Sequence, residues 1–381
     1  MNRRHLVDTT VFYSPTSGGV RRYLIAKHTW LATQPGWQHT VLVPGTAQRI
    51  ERGGISTLAG VPLPGTFNYR LPLNPRLWAR QLEALAPDII ETGDAFHPAW
   101  AAWRVARRHG IPCAAFCHSN LPRIAGRRFG SLIEQLSGSY LRELYGRFDV
   151  VFAPSRLMRE FLNDLGVKHV VRQPLGVDPQ LFHPSRRGAW LRRRLGLDSA
   201  ARVLVYAGRF TGEKNMPVLL RAFAGLGRPY HLMLIGGGGR AARLAANVTR
   251  IPYRRDAIDL ACWLASADAL VHAGTLETFG LVVLEAMACG RPVVAARASA
   301  IPELIDERCG ILSEPGDPDS LADAIAALYE RDIEALGAHA RAHVMRYFTW
   351  PRVLEGQLSV YRTLLAGART TALERQLAQA G

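Results

Sequence analysis

The sequence predicts an α/β protein built from two doubly wound parallel halves. Three observations carry that expectation. At 381 residues the chain is too long for one average domain. Short apolar runs followed by helix-like segments occur in two separate sets. A stretch rich in proline and glycine lies between the sets. In the first set, residues 39–44 (HTVLVP), 87–91 (PDIIE), 112–118 (PCAAFCH) and 149–153 (DVVFA) read as strands. In the second, residues 202–207 (RVLVYA), 231–235 (HLMLI), 269–272 (ALVH) and 292–296 (PVVAA) do. The linker is Gln173-Pro-Leu-Gly-Val-Asp-Pro-Gln-Leu-Phe-His-Pro184, whose prolines and glycine break helix and strand alike. One more amphipathic segment, 349–365, follows the second set.

Composition narrows the partners. Forty-seven Lys plus Arg against 31 Asp plus Glu leave a net charge of +16, which favours an anionic partner: a phosphorylated substrate, an anionic membrane face or nucleic acid. Nearly every cation is Arg, and the lysines are Lys27, Lys168 and Lys214. The cysteines, Cys113, Cys117, Cys262, Cys289 and Cys309, are odd in number and form no C-x-x-C pair. That excludes a disulfide scaffold, argues against a zinc ribbon and suits a reducing compartment. The N-terminus has no apolar core of a secretion signal, and nowhere do about eighteen apolar residues run together. A soluble, cytoplasmic protein is expected.

Two loops carry the chemistry. In Glu277-Thr-Phe-Gly-Leu-Val-Val-Leu-Glu285 a strand end leads into an apolar helical run, with Thr278 as the expected N-cap. The backbone N–H groups from Thr278 through Phe279, Gly280 and Leu281 then form an anion site, and Gly280 has no side chain to hold a phosphate away. With Glu285 about seven residues into the helix, the two carboxylates stand roughly 10 Å apart. That is awkward for a glycosidase pair and suits a long ligand, with a diphosphate at the helix start and a polyol at each Glu. In Ala207-Gly-Arg-Phe-Thr-Gly-Glu-Lys214 a strand enters a second loop on the ligand side of a doubly wound sheet. There Arg209 can grip phosphate bidentately and Lys214 adds a compact point charge. Taken singly, each of these residues is equally at home as a cap or as solvated surface.

Together they resemble the retaining nucleotide-sugar glycosyltransferases of family 4. The resemblance spans nearly the whole chain: Ser17-Gly-Gly-Val-Arg-Arg-Tyr23, His118, Ala153-Pro-Ser-Arg156, the Leu175-Gly-Val-Asp178 to Phe182-His-Pro184 linker, the Gly208-Arg209 to Glu213-Lys214 loop and the E-x7-E of Glu277 and Glu285. It implies a GT-B fold, two Rossmann-like domains facing across a cleft. Residues 1–178 would form the acceptor side and 179–348 the donor side, with the helix at 349–367 packing back on the first. By the same likeness Gly18 and Gly19 belong to the donor-binding residues, Arg209 and Lys214 bind the diphosphate, Glu285 the ribose hydroxyls and Glu277 the sugar. His118 would face the reacting sugar as a neutral imidazole, and the backbone near Tyr253 would meet the base. One departure is Gly236-Gly-Gly-Gly239, where the family more often has Gly-x-Gly-Pro. No cofactor or metal is expected beyond the nucleotide-sugar donor.

From residue 95 to 133 the chain holds no acidic residue, while Arg123, Arg127 and Arg128 alternate with Ile124, Phe129 and Leu132. That mixture suits a membrane-surface element, and the region is similar to that of lipid-glycosylating family members such as phosphatidylinositol mannosyltransferases and sulfoquinovosyl diacylglycerol synthases. A solvated arginine-rich face is the alternative. Trp30, Trp37, Trp100 and Trp103 read as packing residues. Asp317-Pro-Asp319 spells a metal-binding D-x-D, but Pro318 and the sequence after it mark a helix start.

The expected activity is metal-independent, retaining transfer of a hexose from a GDP- or UDP-sugar to a lipid or saccharide acceptor, peripherally on the inner membrane face. The alternatives are another GT-B enzyme, a nucleotide-sugar epimerase or inverting transferase, and a basic nucleic-acid-binding protein. Against nucleic acid, the sequence has no recognition-helix, RNP or zinc-finger pattern.

Overall fold

The computed structural model describes residues 3–14, 18–64, 68–238 and 244–367. Ser17 and Gly239, which open and close two of the glycine motifs above, lie outside the described residues. Contacts divide the chain into two units, one running to Leu175 and resuming at Trp350, the other Gly176–Thr349.

The first unit runs β1 (Arg4–Thr9), α1 (Gly19–Leu31), β2 (Trp37–Gly45), β3 (Ile55–Ala59), a small antiparallel pair β4 (Val61–Pro62) and β5 (Arg70–Leu71), α2 (Arg76–Leu85), β6 (Ile89–Thr92), α3 (His97–His109), β7 (Cys113–Phe116), α4 (Leu121–Phe129), α5 (Ser131–Tyr145), β8 (Val150–Ala153), α6 (Arg156–Asp164) and β9 (Val170–Arg172). Its seven-stranded parallel sheet has the order β3-β2-β1-β6-β7-β8-β9. The second unit runs α7 (Trp190–Leu195), β10 (Arg202–Arg209), α8 (Met216–Leu226), β11 (Tyr230–Gly237), β12 (Val248–Pro252), α9 (Ala257–Ser266), β13 (Ala269–His272), α10 (Leu281–Ala288), β14 (Val293–Ala296), β15 (Gly310–Ser313), α11 (Pro318–Leu328) and α12 (Ile333–Tyr347). Its six strands are ordered β12-β11-β10-β13-β14-β15. The last helix, α13 (Trp350–Leu365), belongs to the first unit.

Both sheets reverse their winding once, between β1 and β6 and between β10 and β13. Ligands of such sheets bind beyond the carboxyl ends of the strands at the reversal. The central strands are covered on both faces, which is why they read as unbroken apolar runs. Every residue from Val203 to Ala207, Ala269 to His272 and Val293 to Ala296 is buried. Side-chain caps start several of the helices: the Asn120, Ser155, Asp256 and Asp317 side chains each accept a bond from a first-turn backbone N–H. Asp317 accepts from both Asp319 and Ser320, so the D-x-D sequence is a helix cap.

Beneath the first sheet lies a buried polar network. Lys27 Nζ, almost fully enclosed, donates to Asp8 Oδ1 and Glu91 Oε1, each at 2.9 Å, and to the Tyr361 hydroxyl at 2.7 Å. Gln357 Nε2 donates to Tyr23 Oη at 2.6 Å and to Glu91 Oε2 at 3.0 Å, and the Tyr361 hydroxyl also donates to Glu91 Oε2. His39 Nε2 meets Asp8 Oδ2 at 2.9 Å. Burial opposes ionisation of Asp8, yet Lys27 and His39 hold its carboxyl below the ordinary value. Gln357 and Tyr361 come from α13, Tyr23 and Lys27 from α1, so this network fixes the last helix on α1, β1 and β6. An unpaired charge here would be costly, so the residues specify each other.

Candidate functional site

In the second unit the site is assembled at the carboxyl ends of β10 and β13, which pair Leu204 with Ala269 and Val205 with Leu270. At the end of β10 the Tyr206 hydroxyl donates to the Arg209 carbonyl at 2.8 Å, and beyond it a single 3-10 turn, Gly212–Lys214, brings the chain round to α8. At the neighbouring end of β11, a Cβ on Gly236 would run into the Gly208 carbonyl, so these two loops require glycine at their closest approach. The Thr275 N–H donates to the Glu213 carbonyl at 3.1 Å, tying the loop after β10 to the loop after β13.

Across that tie Lys214 Nζ donates to Glu277 Oε1, and His272 Nε2 lies 3.0 Å from the same oxygen. Both side chains of the ion pair are about 15% exposed. Burial would raise the Glu277 pKa, but the Lys214 ammonium and the His272 hydrogen bond hold it well below the carboxylate range. Glu277 is therefore an anion oriented by two neighbours. Arg209 is more open, 54% exposed at its side chain, with Glu213 Oε1 at 3.9 Å. Thr211 Oγ1 donates to that Glu213 oxygen at 2.6 Å.

Two expectations for the next helix are corrected. Thr278 is not its N-cap: Gly280 holds that position, at φ +104°, and α10 begins at Leu281. A Cβ at Gly280 would lie 2.6 Å from Ile301 Cδ1, so both its conformation and the packing of Ile301 demand glycine, and the helix cannot start earlier. Glu277 consequently precedes α10 rather than opening it, and helical rise does not set its separation from Glu285. Glu285 is the fifth residue of α10 and is buried, not solvated. Phe279 is buried too, 6.1 Å from Phe348 ring to ring. Tyr253 follows the end of β12 and is 44% exposed, while the neighbouring Arg254 guanidinium lies 5.2 Å over Trp263.

The remaining predicted residues belong to the first unit. His118 stands two residues beyond β7 rather than at its end, because its N–H turns back to the Phe116 carbonyl at 3.1 Å. Its ring stacks on Phe116 at 4.2 Å and meets the edge of Tyr23 at 5.3 Å. Burial, with the Lys27 charge nearby, pushes its pKa down to about 3 from 6.5, so it is a neutral imidazole at pH 7. Gly18 flanks and Gly19 begins α1, where the Arg22 N–H bonds to the Gly18 carbonyl at 3.2 Å. Arg123, Arg127 and Arg128 all lie exposed on α4, interleaved with exposed Ile124 and Phe129, and α5 continues the apolar row with exposed Leu132 and Leu136. Trp100 and Trp103 instead pack edge to face, capped by the Arg147 guanidinium.

Sequence reasoning missed His272 and the Lys27 network. A histidine ending a central strand five residues before Glu277 is the signal for the first. For the second, the signal is a lysine kept within an amphipathic helix of an arginine-biased chain.

The fold and this cluster define a class, the nucleotide-sugar glycosyltransferases. The models of Glycosyltransferase Family 4 and of Glycosyl transferases group 1 match residues 17–181 and 201–331. A GDP-mannose-dependent alpha-(1-6)-phosphatidylinositol dimannoside mannosyltransferase of Mycobacterium tuberculosis is 30% identical over 377 residues, 96% of this chain and 97% of that protein. The sulfoquinovosyl transferase of Arabidopsis thaliana is 29% identical over 311 residues, 77% of this chain and 61% of that one. Among solved structures, sucrose-phosphate synthase from Thermosynechococcus elongatus superposes with a TM-score of 0.80 at 22% identity, covering 96% of this chain and 100% of that one. Anabaena HepE in complex with UDP and glucose gives 0.75 at 19%, covering 95% and 100%. The chain belongs to glycosyltransferase family 4, the group 1 glycosyl transferases, with their GT-B fold. No helix among the described residues is long and apolar enough to cross a membrane.

Proposed function

We propose that this protein is a metal-independent, retaining hexosyltransferase that takes a sugar from GDP-mannose or a related GDP- or UDP-sugar. The acceptor is a lipid or lipid-linked saccharide at the cytoplasmic face of a membrane. The observation that carries this reading is the cluster of Arg209, Lys214, His272 and Glu277 at the carboxyl ends of β10 and β13, next to the Gly280 start of α10.

In this reading the free N–H groups of Leu281 and its neighbours, with Arg209 and Lys214, hold the diphosphate. Glu285 receives the ribose hydroxyls, and backbone near Tyr253 the base. Glu277, locked as an anion by Lys214 and His272, accepts hydrogen bonds from the sugar hydroxyls. A carboxylate so engaged is a poor nucleophile, which favours transfer on one face. The C1–O bond to phosphate breaks while the acceptor oxygen bonds to C1 from the same side. The acceptor proton passes to the departing phosphate oxygen, whose charge Arg209, Lys214 and the helix start stabilise. His118, neutral, can accept or donate one hydrogen bond to the sugar without contributing charge.

The lipid acceptor is supported by the α4–α5 face, where three arginines and Ile124, Phe129, Leu132 and Leu136 stand exposed together. The name of the Mycobacterium relative, a phosphatidylinositol dimannoside mannosyltransferase, points the same way. The test is transfer from GDP-mannose and UDP-glucose, in EDTA, to mannosylated phosphatidylinositol in vesicles and to a soluble mannoside, with the product anomer read by NMR. An α-linked glycolipid is expected. A β-linked product, free sugar alone or an epimerised donor would overturn the assignment.

A further inference from the structure

A second constellation lies in the same unit, on the segment that leaves the Glu277 loop. Asp306, Cys309 and His343 each offer one metal-ligating atom, and the three atoms lie within 4.8 Å of one another. A tight turn produces the first two: the Cys309 and Gly310 N–H groups both donate to the Asp306 carbonyl, at 3.0 and 3.2 Å. The third comes from α12, thirty-four residues after Cys309. His343 lies beside Tyr347 and Phe348, with ring centroids at 5.1 and 5.6 Å, and its Nε2 is buried without a hydrogen-bond partner. A buried ring nitrogen in that condition is unusual and calls for an explanation. A cation is one that also accounts for the thiol and carboxylate beside it.

We propose that Asp306, Cys309 and His343 bind a divalent cation of the zinc class. Imidazole, thiolate and carboxylate are its ligand set, and three protein ligands leave a fourth position for water. Tetrahedral bonds of about 2.0 to 2.3 Å put donors about 3.3 to 3.8 Å apart, so side-chain shifts of about 1 Å close the site. Coordination replaces the S–H bond of Cys309 by S–metal, and the proton leaves to solvent. The Asp306 carboxylate now takes a hydrogen bond from the Cys309 thiol and is shared with Arg308, whose NH2 group is 3.1 Å away on a side chain 70% exposed, so the guanidinium can yield to the cation without being buried.

The site has a purpose in the fold. The segment between Glu277 and Asp306 backs the donor loop: the Ala300 N–H donates to the Glu277 carbonyl at 3.2 Å, and Ile301 packs where Gly280 lacks a side chain. A cation at its far end pins this segment to α12. It is a structural clamp, separate from the diphosphate cluster, and it does not depend on the proposed transfer.

Full-length protein stripped with EDTA and desalted is titrated with Co2+, which reports thiolate ligation by a near-ultraviolet charge-transfer band. Wild type is expected to bind one equivalent with that band, to release it to Zn2+, and to melt higher with Zn2+ than without. Cys309→Ser should abolish the band, and His343→Gln, at a partly exposed helix position, should weaken Co2+ about tenfold or more. Cys262→Ser, which changes the partly exposed cysteine, should behave as wild type. A wild type without the band overturns the proposal. So does a band that survives Cys309→Ser or is lost in Cys262→Ser, or a folded His343→Gln protein with undiminished affinity.

Discussion

Lys214 and Glu277, sixty-three residues apart, form a nearly buried ion pair that joins the loops after β10 and β13. Each thereby sets the other's chemistry: Lys214 keeps Glu277 ionised, and Glu277 holds the ammonium at the strand ends.

The pair makes the two cations of the site unequal in stability. Lys214→Ala leaves a mostly buried carboxylate with His272 beside it and should cost about 3 kcal/mol, whereas Arg209→Ala, at a half-exposed side chain, should cost about 0.5 kcal/mol or less. Adding Glu277→Ala to Lys214→Ala should restore part of the loss, since the stranded charge is gone. Urea denaturation of the four proteins checks this. A Lys214→Ala variant as stable as wild type would show that the pair is not held in solution.

The two glutamates should fail differently when nucleotide is bound without sugar. Glu285→Gln removes a buried acceptor assigned to the ribose and should weaken GDP about tenfold, about 1.4 kcal/mol. Glu277→Gln keeps the side chain's shape and should leave GDP affinity within about threefold while lowering transfer by about two orders of magnitude. Calorimetry and turnover on the same samples separate the roles. Equal losses of GDP affinity would refute the division.

His118 should not titrate in the physiological range. Its folded pKa of about 3 lies below the 6.5 of the unfolded chain, so the unfolded state takes up the proton first. The stability it contributes is complete above about pH 6.5 and is lost as pH falls toward 3. The melting-temperature difference between wild type and His118→Gln should therefore shrink on acidification, and the imidazole resonances should stay neutral at pH 5. A midpoint near 6.5 by NMR would contradict the enclosed ring.

The α4–α5 face should bind anionic vesicles at low salt and release them as ionic strength rises, each arginine adding about 1 kcal/mol. Replacing Arg123, Arg127 and Arg128 by Gln should abolish sedimentation and spare GDP binding. Wild type that stays in the supernatant would leave a soluble saccharide as the better acceptor.

The central strands were legible because burial on both faces leaves little but apolar residues, as in 202–207 and 269–272. β1 was harder, since His5 and Asp8, buried for the sake of hydrogen bonds, and the buried Thr9 interrupt the apolar pattern. β12 and β15 are sheet edges with partly exposed residues, so their runs look ordinary. In the candidate site, Arg209, Lys214, Glu277 and Glu285 stood out through residue type and spacing. The helix start did not: Thr278 fits every local rule for a cap, and only the packing of Ile301, twenty-one residues past Gly280, moves the start. The same holds for His343, whose proximity to Asp306 and Cys309 is a product of α12 packing and leaves no spacing to read.

The most direct test of the account is calorimetry with GDP and UDP in EDTA, on wild type and on the Arg209→Ala/Lys214→Ala double variant. Binding of at least one nucleotide without metal is predicted, unchanged by added Mg2+, with affinity falling about 100-fold or more in the double variant as two charge-assisted contacts are lost. Strict dependence on Mg2+, or a double variant that binds as wild type does, would contradict it.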